Sequence, residues 1–260
     1  MRAAQHTTYG RGMVRFDAEL VFGEDYLPFY EPVLTDERNR AEADEIIATL
    51  GLDTGSRVLD APCGHGRIAN LLAGRGLVVT GLDASAQFLD RARADAERHR
   101  VEVSYVEGDL RALPADAEFD AVVCWFTSFG YFDDDDNRRV LTEFRRVLVP
   151  GGRLLIETMH HDGFVRSVMS APAPATSAVR VGDNLMVDES TFDPVTGRAE
   201  TERTVVRDGR VRRARFSVRL PTPPEFVTWL HAAGFEDVRF ADRHGEQLTL
   251  ESRRLVVVAS

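Results

Sequence analysis

VLDAPCGHGRIANLL, residues 58–72, decides the fold. An apolar strand ends on Asp60, two close glycines follow at Gly64 and Gly66, and a helix opens near Arg67. Gly64-His65-Gly66-Arg67-Ile68-Ala69 fits the G-x-G-x-x-A turn, in which glycine lets a ligand approach backbone amides that a side chain would block. Asp83 closes the next strand, where a carboxylate can grip both hydroxyls of a ribose. These features alone also describe a dinucleotide site. Asp60 separates the two readings, because a carboxylate repels a pyrophosphate but accepts bonds from an ammonium group or its waters.

Outward from this turn, short apolar strands alternate with helices. Strands are expected at 57–60, 77–83, 101–107, 119–126 and 153–158, with helices at 67–73, 86–98 and 135–148 and an earlier helix at 36–50 capped by Asp36. That rhythm predicts a parallel sheet covered on both faces. Residues 184–192, 199–207 and 211–220 then read as three antiparallel strands, separated by the hairpin signals 193–197 and Asp208-Gly209. The stretch APAPATSA, 171–178, reads as a connection or flap. A helix at 224–233 and strands at 235–240 and 255–259 complete the chain. The link between these last strands is too short for a helical crossover, so the final one must run antiparallel.

The chain of 260 residues is long enough for one full core. Its net charge of −10 argues against a nucleic-acid partner. All 32 basic residues are arginine, so the run Arg203, Arg207, Arg210, Arg212, Arg213, Arg215 and Arg219 reads first as a solvated sheet face. No apolar run reaches the length of a membrane span, and the polar start of the sequence lacks a signal-peptide core, so a cytoplasmic protein without a membrane partner is expected. Cys63 and Cys124 form no metal or redox spacing. Asp133 to Asp136 precede a helix and read as capping acids, with no metal expected.

The pieces VLDAPCGHGR, VTGLDAS, VEGDLRALP, FDAVVCWFTSFGYF, LVPGGRLLIET and TPPEFVTWLHAAGFEDVRF, in that order over most of residues 56–240, resemble the class I S-adenosylmethionine-dependent methyltransferases, in tone those acting on small molecules. The resemblance implies an α/β, Rossmann-like seven-stranded sheet with the last strand antiparallel, here with an inserted antiparallel β-meander. It divides the chain into an N-terminal lid and helix (1–50), a cofactor domain (51–160 and 221–260) and an inserted substrate or dimer subdomain (161–220). The cofactor implied is S-adenosylmethionine, with S-adenosylhomocysteine as product. Asp60, Ala61, Gly64 and Gly66 would surround its methionine part, Asp83 the ribose, Ala84, Asp109 and Leu110 the adenine, and Phe126 would lie beside it. Arg67 has two readings, the cofactor carboxylate or the surface. Tyr26 and Tyr30, in the aromatic segment FGEDYLPFYEPVL, would close over the ligand.

Transfer from a sulfonium needs an in-line nucleophile more than a strong acid or base. Because ligands of open α/β sheets sit beyond the carboxyl ends of the strands, substrate residues are sought after strands four and five. Tyr131, His160 and His161 stand there, a histidine being able to take a proton near neutral pH. His65 is expected to point outward. The expected function is methyl transfer to N, O or C of a small-molecule acceptor, with a homodimer as a candidate assembly. Decarboxylation or cyclisation on the same cofactor and a nicotinamide oxidoreductase are the alternatives.

Overall fold

The computed structural model describes residues 21–114 and 118–260. Its main sheet is seven-stranded, built from β1 (Arg57–Asp60), β2 (Val78–Asp83), β3 (Val103–Glu107), β4 (Phe119–Cys124), β5 (Leu148–Met159), β10 (Val238–Ala241) and β11 (Arg254–Ala259) in the order β10-β11-β5-β4-β1-β2-β3. β1 to β5 pair in parallel, and β11 runs antiparallel to both β5 and β10. The central parallel strands carry apolar residues toward both faces because both faces are covered. Leu59, Val122, Leu154 and Ile156 join one core with Phe144, Phe226 and Leu230, whereas their neighbours Val58, Val123 and Leu155 join another with Ile46, Ile68 and Leu72.

Helix α1 (Tyr26–Tyr30) leads through a short turn to α2 (Asp36–Leu50), and α3 (Arg67–Ala73) and α4 (Ala86–His99) link the first strands. α5 (Asp134–Val147), α6 (His161–Met169) and α7 (Pro223–Ala233) complete the helices described. α2 is capped by Thr35, whose side chain accepts the Arg38 amide, and not by Asp36, which lies one residue inside its first turn. α6 occupies the stretch after β5 that reads as a loop in sequence. His160 is its N-cap residue.

The antiparallel insertion has four strands, one more than the sequence suggests: β6 (Ala175–Val181), β7 (Asn184–Asp193), β8 (Arg198–Arg207) and β9 (Arg210–Arg219). β6 is formed by the second half of the proposed flap, because Thr176 to Val181 find a ladder along β7 that local composition does not announce. The Asp208-Gly209 turn holds φ of +52° and +73°, the primed geometry that matches strand twist.

The insertion docks on the loop after β4 through Gly130. Arg219 donates its amide to the Gly130 carbonyl at 2.8 Å, and Arg198 reaches the same oxygen at 3.2 Å. Gly130 has φ +106°, and a Cβ there would stand 2.3 Å from the Arg219 carbonyl oxygen. Arg198, Arg203 and Arg219 are all buried, so Arg203 and Arg219 leave the solvated face proposed for them. Each is drawn in by partners: Arg203 by Asp188 at 2.7 Å, Arg219 by Asp134 and Glu225. Gly130→Ala is expected to cost about 2 kcal/mol or more, lowering Tm by roughly 4–8 °C in a thermal melt.

Candidate active site

At the carboxyl ends of β1 to β4 a cavity of about 300 Å³ opens. Its walls come from the loops after the first four strands, and not from the one after β5. Asp60, Cys63, Gly64, His65 and Arg67 belong to the glycine turn, Asp83 to Ser85 follow β2, Gly108 to Arg111 follow β3, and Trp125, Phe126, Ser128, Tyr131 and Phe132 follow β4. Phe22 and Tyr26 close it from the N-terminal side.

Asp83 ties the turn together. One carboxylate oxygen accepts the Gly64 amide at 2.8 Å and the other the Ser85 amide at 2.9 Å. Burial raises its pKa although the backbone amides pull it down. Asp60 is buried, and its Oδ2 has no hydrogen-bond partner among the described residues. Burial pushes Asp60 up to about 7, with Arg67 pulling it down and Asp83 adding repulsion. Such an oxygen invites a cationic donor. Asp109 is half exposed and gripped by its neighbour, with Arg111 donating at 2.6 Å to one oxygen and at 3.0 Å to the other. These bonds hold Asp109 below its usual pKa.

Not every residue of the glycine turn faces the cavity. Ala61 is buried, its amide on the Val123 carbonyl, and does not line it. Gly66 lies outside the lining too, and packing explains its small size: a Cβ would stand 2.3 Å from the Tyr105 hydroxyl and 2.7 Å from Ala92. His65, expected to point outward, lines the cavity beside Phe88, since the turn carries it over the end of β2. Burial, with Arg67 and Arg91, lowers its pKa to about 4.

Arg67 is largely buried. It donates to Glu42 at 2.5 Å and Asn39 at 3.0 Å and lies 4.9 Å from the Phe126 ring centroid. Glu42 was missed in the sequence. It is fully enclosed on α2, where it also takes Arg38 at 2.9 Å, the Trp125 indole at 3.1 Å and Arg243. Its signal was available: an acid one turn before Ile46 falls on the apolar side of its helix.

Tyr26 stacks on Tyr30 with centroids 4.3 Å apart, but only Tyr26 lines the cavity. Tyr30 stands behind it, accepting from Arg203 at 3.0 Å. Tyr131 lines the cavity at the same end, edge-on to Phe22 at 5.4 Å, and burial raises the pKa of its phenol. The two histidines are not brought in. His160 is buried with Nδ1 on the Ser252 carbonyl at 3.0 Å, and His161 pairs with Asp162 at 2.7 Å against Phe192. Neither lines the cavity. Cys63 is buried with its thiol pKa raised by burial, as a packing group is. Asp133 caps α5 by accepting the Asp136 amide, while Asp135 and Asp136 pair with Arg138 and Arg111.

Residues 58–152 match the family model of a methyltransferase domain. The demethylmenaquinone methyltransferase of Renibacterium salmoninarum is 33% identical over 145 residues, 54% of this chain and 58% of that protein. The malonyl-[acyl-carrier protein] O-methyltransferase of Enterobacter lignolyticus is 37% identical over 127 residues, 48% of each. The chain thus spans about half the length of the curated relatives it matches. Among solved structures, the CcbJ methyltransferase of Streptomyces caelestis shares the fold, with a TM-score of 0.78 at 23% identity over 94% of this chain and 98% of that one.

A histidine whose folded pKa is depressed contributes stability above its unfolded value of 6.5 and loses it as pH falls towards 4. Asp60, raised, acts in the opposite sense over a similar range. His65→Gln should therefore lose less Tm between pH 6.5 and pH 4 than the parent chain. Equal slopes in the two melts would place the imidazole in water.

Proposed function

We propose that this chain, whose residues 58–152 match a methyltransferase domain, is a class I S-adenosylmethionine-dependent methyltransferase that moves a methyl group from S-adenosylmethionine to a small-molecule acceptor by in-line displacement. The observation that carries the reading is the pair of carboxylates at adjacent strand ends, Asp60 with a buried oxygen that has no partner among the described residues and Asp83 held by two amides. Asp60 would accept from the ammonium of the amino-acid tail. Asp83 would take the ribose hydroxyls with the lone pairs its amide bonds leave. Asp109, Leu110 and Ala84 would frame the adenine, and Phe126 would cover the donor beside Arg67.

When bound, S-adenosylmethionine supplies a methyl group on a positively charged sulfur that is already a good leaving group. The work left to the chain is alignment and exclusion of water. Phe22, Tyr26, Tyr131 and Phe132 give the cavity an aromatic end in which Ser128 and the tyrosines offer hydroxyl groups. Burial raises the pKa of both cavity tyrosines, so at neutral pH they orient an acceptor by donating hydrogen bonds and are poor bases. The two curated relatives are named for different acceptors, which suits a shared donor site joined to a variable acceptor end.

Calorimetry should show S-adenosylhomocysteine binding and no NAD binding, and the reverse preference would overturn the reading. Asp83→Ala should weaken S-adenosylhomocysteine about tenfold or more, through lost charge-assisted bonds. Because burial pushes Asp60 up to about 7 and its ionised form holds an ammonium more strongly than its neutral form, affinity should rise from pH 6 to pH 8. Asp60→Asn should flatten that dependence. Mass spectrometry of metabolites incubated with chain and donor should reveal the acceptor as a gain of one methyl unit.

A further inference from the structure

β4 enters the cavity through a backbone that most residues avoid. Phe126 and Thr127 stand at φ +64° and +57° in succession. In this left-handed region the Cβ crowds the backbone, and an aromatic followed by a β-branched residue is a rare occupant. Such a conformation persists only where its surroundings over-determine it.

The surrounding group is Glu157 on β5. It is fully buried in a strand that is otherwise apolar at its centre. Its Oε2 accepts the Phe126 amide at 2.9 Å, and its own backbone carbonyl accepts the Thr127 amide at 3.0 Å. One residue therefore takes both amides of the left-handed pair. The carboxylate is held in turn by Arg254 on β11, through Nε and through Nη2 at 2.6 Å. An ion pair serving only to join β5 to β11 would not need an oxygen turned across to β4. Beyond the clamp, Phe126 and Ser128 line the cavity, and Ser128 Oγ donates to the Trp125 carbonyl at 2.8 Å across the same turn.

We propose that Glu157 is a positioning residue for methyl transfer. It holds Phe126 and Thr127 left-handed and so sets where Phe126 and Ser128 stand against donor and acceptor. The proposal rests on the reading of this cavity as the S-adenosylmethionine site.

Calorimetry of S-adenosylhomocysteine on the full chain tests it. Glu157→Leu leaves the Phe126 amide without its acceptor and should weaken binding about tenfold. Glu157→Gln retains one oxygen for that amide and should stay within about threefold of the parent. Thr127→Gly added to Glu157→Leu makes the left-handed backbone accessible again and should recover a large part of the loss. Parent-like binding by Glu157→Leu overturns the proposal. So does a loss that neither Glu157→Gln nor Thr127→Gly relieves, the result expected of a purely structural ion pair. Should Glu157→Leu fail to fold, Thr127→Gly alone decides: a Tm raised by about 2 °C supports a strained turn held by its clamp, and an unchanged or lowered Tm overturns it. Failure of the parent chain to bind S-adenosylhomocysteine overturns the donor-site reading and this proposal together, whereas failure in the variants alone overturns only this one.

Discussion

The bond from the Gly64 amide to the Asp83 carboxylate, 2.8 Å long, is the constraint on which the site depends. β1 and β2 pair in parallel register, with Asp60 opposite Gly81, so β2 runs two residues past the end of β1 and carries Asp83 up beside the turn. The turn leaving β1 is then drawn over the end of β2. Asp60, which lines the same cavity, is left with a buried oxygen that finds no partner among the described residues. Folding has buried Asp60 and set Asp83 close enough to add to its cost of ionising, an arrangement that a cationic ligand would relieve.

Around this centre the chain uses arginine as a stitch. Three arginines from α2, α3 and the segment after β10 converge on the enclosed carboxylate of Glu42, and Trp125 adds its indole. Arg203 and Arg219 bind the meander to α1 and to the start of α7, and Arg254 fixes Glu157. Arg67, Arg203 and Arg254 each join segments far apart in sequence, and Arg67 itself lines the cavity. Buried ion pairs of this kind add little net stability over apolar packing, because desolvation offsets attraction. Their directional bonds set where Tyr26, Phe126 and the loop after β4 stand.

The reading from sequence reached furthest where the signal is local. The strand-turn-helix at 58–72 and the acids ending β1 and β2 were legible because a short apolar run and a glycine pair depend on neighbours alone. The meander's Asp208-Gly209 turn was legible for the same reason. Thr35, β6 and α6 were less so. Thr35 competes with an acid beside it for the cap, β6 is a strand only because β7 offers it a ladder, and α6 begins at a histidine that no capping preference marks.

Sequence by itself determined the order of elements, the parallel sheet with its final reversal, and the chemical character of the turn at Gly64. These follow from periodicity and from the backbone freedom of glycine. Tertiary structure alone decided which of the named residues share a space. Gly66 answers to Tyr105, Tyr30 to Arg203 and His160 to Ser252, while His65 turns inward. The reason is that a side chain's direction depends on partners tens of residues away, and no local pattern encodes where those partners will be.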